Sequence, residues 1–228
     1  MEMSMHKDAV HAGQSAYTPF SLKLYDQAVL GLSCRWVWKC PSRSLLAHYQ
    51  QHISGNHLDV GVGTGYFLDK VRFPVSSPRV VLMDLNPNSL SCCAQRIARY
   101  QPQVHRCNAL VPVVFTGERF DSLAMNLLLH CLPGRMEEKG VVLDNLLPLL
   151  NPGATVFGAT LLHDGVERSS LAKGLMWFYN RKGIFTNAAD SDASLARALD
   201  SCLVNVQVRV EGCMALFSGQ VPASHSST

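Results

Sequence analysis

Apolar and polar positions along this chain recur in an order of short apolar runs followed by stretches of helical spacing. Residues 58–60 form an apolar run that leads into a glycine-rich turn and a helix-like stretch ending at Val71. A second run, residues 80–83, stops at Asp84, and residues 88–100 carry Leu90, Ala94, Ile97 and Ala98 on one side of a helix. Further strands are expected at residues 111–115, 122–126 and 154–162, the last after the turn Asn151-Pro152-Gly153, with residues 137–150 reading as an amphipathic helix before it. Residues 194–217 supply one more helix and two strand-like runs, around 204–210 and 213–217, which Glu211-Gly212 separates as a closing hairpin.

Alternating strands and helices specify a mostly parallel sheet, because parallel neighbours need long crossovers and helices supply them. The expected fold is therefore α/β and doubly wound, with helices on both faces of the sheet and an antiparallel C-terminal edge. Ligands in such sheets sit beyond the carboxyl ends of the strands. Residues 1–55 precede the alternation and are expected to form a helical lid segment. Residues 56–220 are expected to form the α/β domain, and residues 221–228, small and polar, a disordered tail.

Composition narrows the function. A chain of 228 residues that is 47% hydrophobic can bury a substantial core as one domain. Its 20 Lys and Arg against 17 Asp and Glu leave a formal charge of +3 with no basic run, so nucleic acid is not an expected partner. Apolar runs such as residues 123–132 are too short to cross a bilayer, and no leader-like segment opens the chain, which places it in the cytoplasm with no membrane partner. The 8 cysteines are scattered without paired ligand spacing, so reduced thiols are expected rather than disulfides, and no metal.

The most informative stretch is Asp59-Val60-Gly61-Val62-Gly63-Thr64-Gly65, where three glycines let the backbone approach a ligand that a Cβ would obstruct. Tyr66 occupies the place where a dinucleotide fingerprint needs its third glycine, so the spacing is G-x-G-x-G and argues against pyrophosphate. A tight turn without a ligand is the plain alternative. Asp84, ending the second strand, can accept both hydroxyls of a ribose because an ionised carboxylate only accepts; its alternative role is to cap the helix beginning near Asn88. Asp59 can meet the ammonium end of an amino acid.

These residues resemble the class I S-adenosylmethionine-dependent methyltransferases, whose first motif is an acidic residue before G-x-G-x-G and whose second is an acidic residue ending the second strand. The likeness runs from Leu58 to Leu162 in the family's order. It implies a seven-stranded sheet and S-adenosylmethionine as cosubstrate or sole substrate. It also implies Gly61, Gly63 and Gly65 along the methionine and ribose portions, Asp84 on the ribose, Leu85 flanking the adenine, and Asn108-Ala109 near the adenine amino group. In this family the loop after the fourth strand faces the methyl group. There Asn126 could hold a substrate or the methionine amine, and His130 could act as a general base, with a packed core histidine as its alternative.

Aromatics cluster in two places outside the nucleotide-binding half: Tyr17, Phe20, Tyr25, Trp36 and Trp38, then Trp177, Phe178 and Tyr179. Tyr17, Tyr25 and Tyr179 are candidates for the reactive end, where an aromatic face attracts the sulfonium cation. Their alternative is packing on the sheet edge. The N-terminal Y-D-x-x-V-L-G and W-x-C-P, with N-L-L-L-H-C-L-P-G, look like a branch of small bacterial and fungal enzymes of secondary metabolism. The expected function is methyl transfer to a small metabolite. Cyclisation of S-adenosylmethionine by its own amine, as in azetidine-2-carboxylate synthases, stands as an alternative, and a non-catalytic S-adenosylmethionine-binding protein as a second.

Overall fold

The computed structural model describes residues 26–223 of the chain. It opens with a π-helical segment, Asp26–Val37, followed by α1 (Ser42–His52). The strands are β1 (Asn56–Val60), β2 (Arg79–Asp84), β3 (Gln103–Arg106), β4 (Phe120–Asn126), β5 (Leu150–Leu161), β6 (Val204–Glu211) and β7 (Met214–Gln220). Between them lie α2 (Tyr66–Lys70), α3 (Pro87–Arg96), α4 (Met136–Lys139), α5 (Val141–Leu146), α6 (Ser170–Arg181) and α7 (Asp192–Asp200). Among the described residues no helix is long and apolar enough to cross a membrane.

The seven strands form one sheet in the order β3-β2-β1-β4-β5-β7-β6, parallel except where β7 runs against β5 and β6. Chain order reverses between β1 and β4, so a crevice opens beyond their carboxyl ends. Alternation along each strand divides the core into two layers. Leu58, Val60, Val81 and Met83 pack with Val142, Leu143 and Leu146 of α5 and Leu195 and Leu199 of α7. Val80 and Leu82 face the other way, into a layer with Tyr49 and Ile53 near α1 and Leu90, Cys93 and Ile97 near α3. A third cluster joins Leu30, Cys34 and Trp38 to Met176 of α6 and Leu216 of β7.

Several local expectations are corrected. The third strand is Gln103–Arg106, not residues 111–115, where Val111 and Val114 are exposed. As the sheet's edge β3 pairs only with β2, and it carries the polar pattern that such exposure permits. Residues 137–150 are not one helix but α4, α5 and a final single turn, broken at Gly140 and at Pro148. The turn Asn151-Pro152-Gly153 lies inside β5 as a bulge, between the pairs Phe120 with Leu150 and Ser122 with Thr155. The buried face of α3 uses Cys93 where Ala98 was expected, and Ala98 is exposed. Val221, expected in a loose tail, is buried and pairs with Ala154, whereas residues 224–228 lie outside the described residues.

Behind the loop that follows β4, Lys139 donates to Asp190 at 2.6 Å and to the Thr186 carbonyl at 3.0 Å, and both charged side chains are fully buried. Removing one member of such a pair strands the other charge, whereas replacing both by apolar groups removes the desolvation cost as well. Lys139→Met is expected to lose about 3–5 kcal/mol in urea unfolding. The double variant Lys139→Met with Asp190→Leu is expected to recover most of that loss. Equal losses in the two variants would show that the pair is not what holds α4 to the segment between α6 and α7.

Candidate active site

The site grows from the end of β1. Because Leu58 and Val60 face α5, His57 and Asp59 must face α1. There the Tyr49 hydroxyl donates to the Asp59 carboxylate and lies 2.9 Å from Nε2 of His57. The glycine turn follows, with Gly61, Gly63 and Gly65 all at positive φ (75°, 52° and 73°). The Gly61 N–H extends the ladder to the Met83 carbonyl at 2.9 Å, and the Gly65 N–H closes the turn on the Val62 carbonyl at 3.0 Å.

The three glycines differ in what a side chain would meet. At Gly63 an added Cβ has nothing within 4 Å, so that backbone faces open space. At Gly61 it would meet Leu128 at 2.8 Å, and at Gly65 the Cys93 sulfur at 2.7 Å. Gly61 and Gly65 therefore also serve close packing of protein on protein. The turn is fixed from outside by Asp26, which accepts from the Thr64 hydroxyl at 2.6 Å and from Arg96 at 2.5 Å. Arg96 also donates to the Thr64 carbonyl at 3.0 Å.

Two cavities meet at this turn and share Gly61, Gly63 and Leu127. The first, about 790 Å³ with its mouth, is lined by Asp84, Leu85, Asn108 and Ala109, with Leu110, Leu128 and Leu132 among its apolar walls. The helix cap of α3 is Asn86, whose side chain accepts from the Asn88 N–H at 2.9 Å, so Asp84 does not cap it. Asp84 accepts from the Asn86 N–H at 2.8 Å and also meets the backbone N–H groups of Gly63 and Val62, and burial, outweighing these bonds, raises its pKa to about 6. Asn108 accepts from the Leu110 N–H at 3.0 Å, which commits one lone pair of its carbonyl oxygen locally.

The second cavity is lined by Asp59, Asn126, Tyr66 and Phe67, with Leu30 and Leu127 beside them. Among the described residues, both polar atoms of the Asn126 amide are buried without a hydrogen-bond partner. Burying an amide unpaired costs about 1–3 kcal/mol, which a ligand in this cavity would recover. Leu127, next in the chain, holds φ at 58° and donates its N–H to the Ala159 carbonyl at 2.7 Å. That left-handed turn ends β4 abruptly and sends Leu128 against Gly61.

The structure does not bring every candidate together. His130 is packed edge-on against Phe185 at 4.7 Å, and its Nδ1 faces the Leu161 N–H at 3.3 Å. Burial and the Lys139 ammonium push its pKa down to about 3, so it is a neutral core histidine outside both cavity walls, not a poised base. Tyr179 packs on Phe185 at 4.8 Å in the third cluster and lines neither cavity. Trp38 is buried in that cluster and Trp36 is exposed, while Tyr17 and Tyr25 lie outside the described residues. Residues missed from sequence are Tyr49, His57 and Ser122 behind Asp59. The available signal was a histidine two residues before Asp59, on the same face of β1.

A reversed parallel sheet, a glycine turn at its crossover and a carboxylate ending the next strand define a class I nucleoside-binding domain. The residues fit S-adenosylmethionine: Gly63 leaves room for it, Asp84 offers an acceptor oxygen, and Asn126 has an unused amide. A model of the methyltransferase domain matches residues 58–156. Demethylluteothin O-methyltransferase of Streptomyces thioluteus is 38% identical over 205 residues, covering 90% of this chain and 89% of that protein. The physcion biosynthesis cluster O-methyltransferase of Aspergillus chevalieri is 35% identical over 212 residues, covering 92% and 95%. The structure of N-methyltransferase NodS from Bradyrhizobium japonicum WM9 in complex with S-adenosyl-L-homocysteine superposes with a TM-score of 0.60 at 18% identity, covering 89% and 97%. The chain belongs to the S-adenosylmethionine-dependent methyltransferase family, and S-adenosylmethionine is its cosubstrate.

Ribose hydroxyls donate best to an ionised carboxylate, so binding favours the deprotonated form of Asp84 and releases a proton where the free protein carries one. Affinity for S-adenosyl-L-homocysteine is accordingly expected to be full above pH 6 and to fall as the pH drops through about 6. Asp84→Asn should weaken binding by about 2 kcal/mol and flatten that pH dependence. Calorimetry on either side of pH 6 checks this, and an unchanged pH profile in the variant would assign the titration to another group.

Proposed function

We propose that the chain transfers the methyl group of S-adenosylmethionine to a hydroxyl oxygen of a small secondary metabolite. The observation that carries this is the Asn126 amide, buried in the wall of the second cavity with no hydrogen-bond partner among the described residues. The Streptomyces and Aspergillus relatives, both O-methyltransferases by name, supply the acceptor class. The 8 free cysteines support a reducing compartment, and we place the enzyme in the cytoplasm.

In this reading Asp84 accepts the ribose hydroxyls, and Leu85, Asn108 and Ala109 border the adenine. Gly61, Gly63 and Gly65 carry the backbone past the ligand, and Asp59 receives the ammonium group of the methionine portion. When bound, the cosubstrate supplies an electrophilic methyl on a sulfonium cation. Tyr66 and Phe67 line the second cavity and offer the aromatic faces that favour such a cation once water is excluded. The apolar walls contributed by Leu30 and Leu127 exclude that water. Asn126 orients the amino-acid end or the acceptor, and displacement at a methyl depends chiefly on alignment. The acceptor oxygen gains the methyl as the sulfonium–methyl bond breaks and S-adenosyl-L-homocysteine leaves, and the hydroxyl proton passes to solvent, because a histidine with a pKa near 3 does not hold it.

The test is the nucleoside product. With S-adenosylmethionine and a hydroxylated aromatic acceptor, S-adenosyl-L-homocysteine should form, and it should not form without the acceptor. Asn126→Ala should lower kcat by about tenfold or more while changing S-adenosyl-L-homocysteine affinity less, because orientation counts most in the transition state. Methylthioadenosine released from S-adenosylmethionine alone would replace methyl transfer by cyclisation. Wild-type turnover in the Ala variant would remove Asn126 from the site.

A further inference from the structure

Asp59 is buried, and among the described residues no lysine or arginine pairs with it. Its support is a buried chain of hydrogen bonds on the α1 side of the sheet. The Tyr49 hydroxyl donates to Asp59; Tyr49 Oη lies 2.9 Å from His57 Nε2, His57 Nδ1 2.8 Å from Ser122 Oγ, and Ser122 Oγ 2.7 Å from Ser54 Oγ. Tyr49, His57 and Ser122 are fully buried. The order of protons follows from valence. Tyr49 has one proton and spends it on a carboxylate that only accepts, so His57 donates to the Tyr49 oxygen from Nε2. The tyrosine ring cannot swing: it stacks on Phe67 at 5.6 Å and meets Phe157 edge-on at 5.0 Å. Phe67 in turn lines the cavity that Asp59 faces.

We propose that Tyr49 is a positioning residue that fixes the Asp59 carboxylate toward the ammonium group of the cosubstrate, with His57 and Ser122 fixing Tyr49 in turn. This rests on the reading that Asp59 receives that group. An anchored carboxylate presents its free oxygen to the cavity without first reorganising, so the hydroxyl of Tyr49 contributes to ligand affinity while touching no ligand. The contribution is confined to ligands that carry the amino-acid end.

The experiment compares calorimetric affinities for S-adenosyl-L-homocysteine and for 5′-methylthioadenosine, which shares the nucleoside but lacks the ammonium group. Tyr49→Phe keeps the ring and is expected to weaken S-adenosyl-L-homocysteine by about tenfold, the effect of one charge-assisted hydrogen bond, and to leave methylthioadenosine within about twofold. Asp59→Asn should shift the same ratio at least as far, and adding Tyr49→Phe to it should change little, since the two act as one unit. A Tyr49→Phe variant that weakens both ligands equally, or neither, overturns the proposal while Asp59→Asn still shifts the ratio. If Asp59→Asn itself leaves the ratio at the wild-type value, the reading of Asp59 fails and the proposal with it. Should Tyr49→Phe not fold, His57→Leu withdraws the donor to Tyr49 and is expected to shift the ratio in the same direction by about threefold. A wild-type ratio there overturns the proposal equally.

Discussion

A carboxylate held out of water, with no lysine or arginine paired to it among the described residues, is the constraint around which this molecule is arranged. Asp59 sits at the carboxyl end of β1, is 6% exposed, and takes its support from the Tyr49 hydroxyl and the polar chain behind it. Carrying an ionised group into such a place is costly unless every available acceptor is used. The strand's alternation turns Asp59 to the α1 face, and α1 supplies the Tyr49 hydroxyl that meets it. The same burial gives the carboxylate its force toward a cation in the cavity, since little solvent screens it there.

From that point the chain must reverse direction and open toward the crevice, and the three left-handed glycines do this. Their division of labour is physical: Gly63 clears space, while Gly61 and Gly65 admit Leu128 and Cys93. The strain at Leu127 and the unpaired amide of Asn126 lie on the facing strand end, the kind of local cost that persists where the surrounding fold over-determines it. Asp26 reaches over the turn and pins Thr64 together with Arg96, so the π-helical segment is coupled to the ligand-binding backbone through charge-assisted contacts.

Much of this was legible in the amino-acid sequence because the constraint was local. A turn needing positive φ admits few residues besides glycine, and a ribose acceptor ending a strand is an acidic residue, so Gly61, Gly63, Gly65 and Asp84 stood out by type and spacing. β3 did not, because an edge strand needs no apolar run. The helix expected over residues 137–150 failed at Gly140 and Pro148, where backbone chemistry overrode periodicity. His130 was ambiguous by type and was decided by Lys139 and by Phe185, the second of which lies far from it in the chain. Tyr49 and Ser122 were illegible because their meaning arises only when α1 and β4 flank β1.

The most direct measurement is a crystal structure with S-adenosyl-L-homocysteine bound. It should show the ribose hydroxyls on the Asp84 carboxylate, the ligand passing over Gly63, and the amino-acid end between Asp59 and Asn126. A ligand bound in the reverse sense, or away from the crevice between β1 and β4, would contradict the site described.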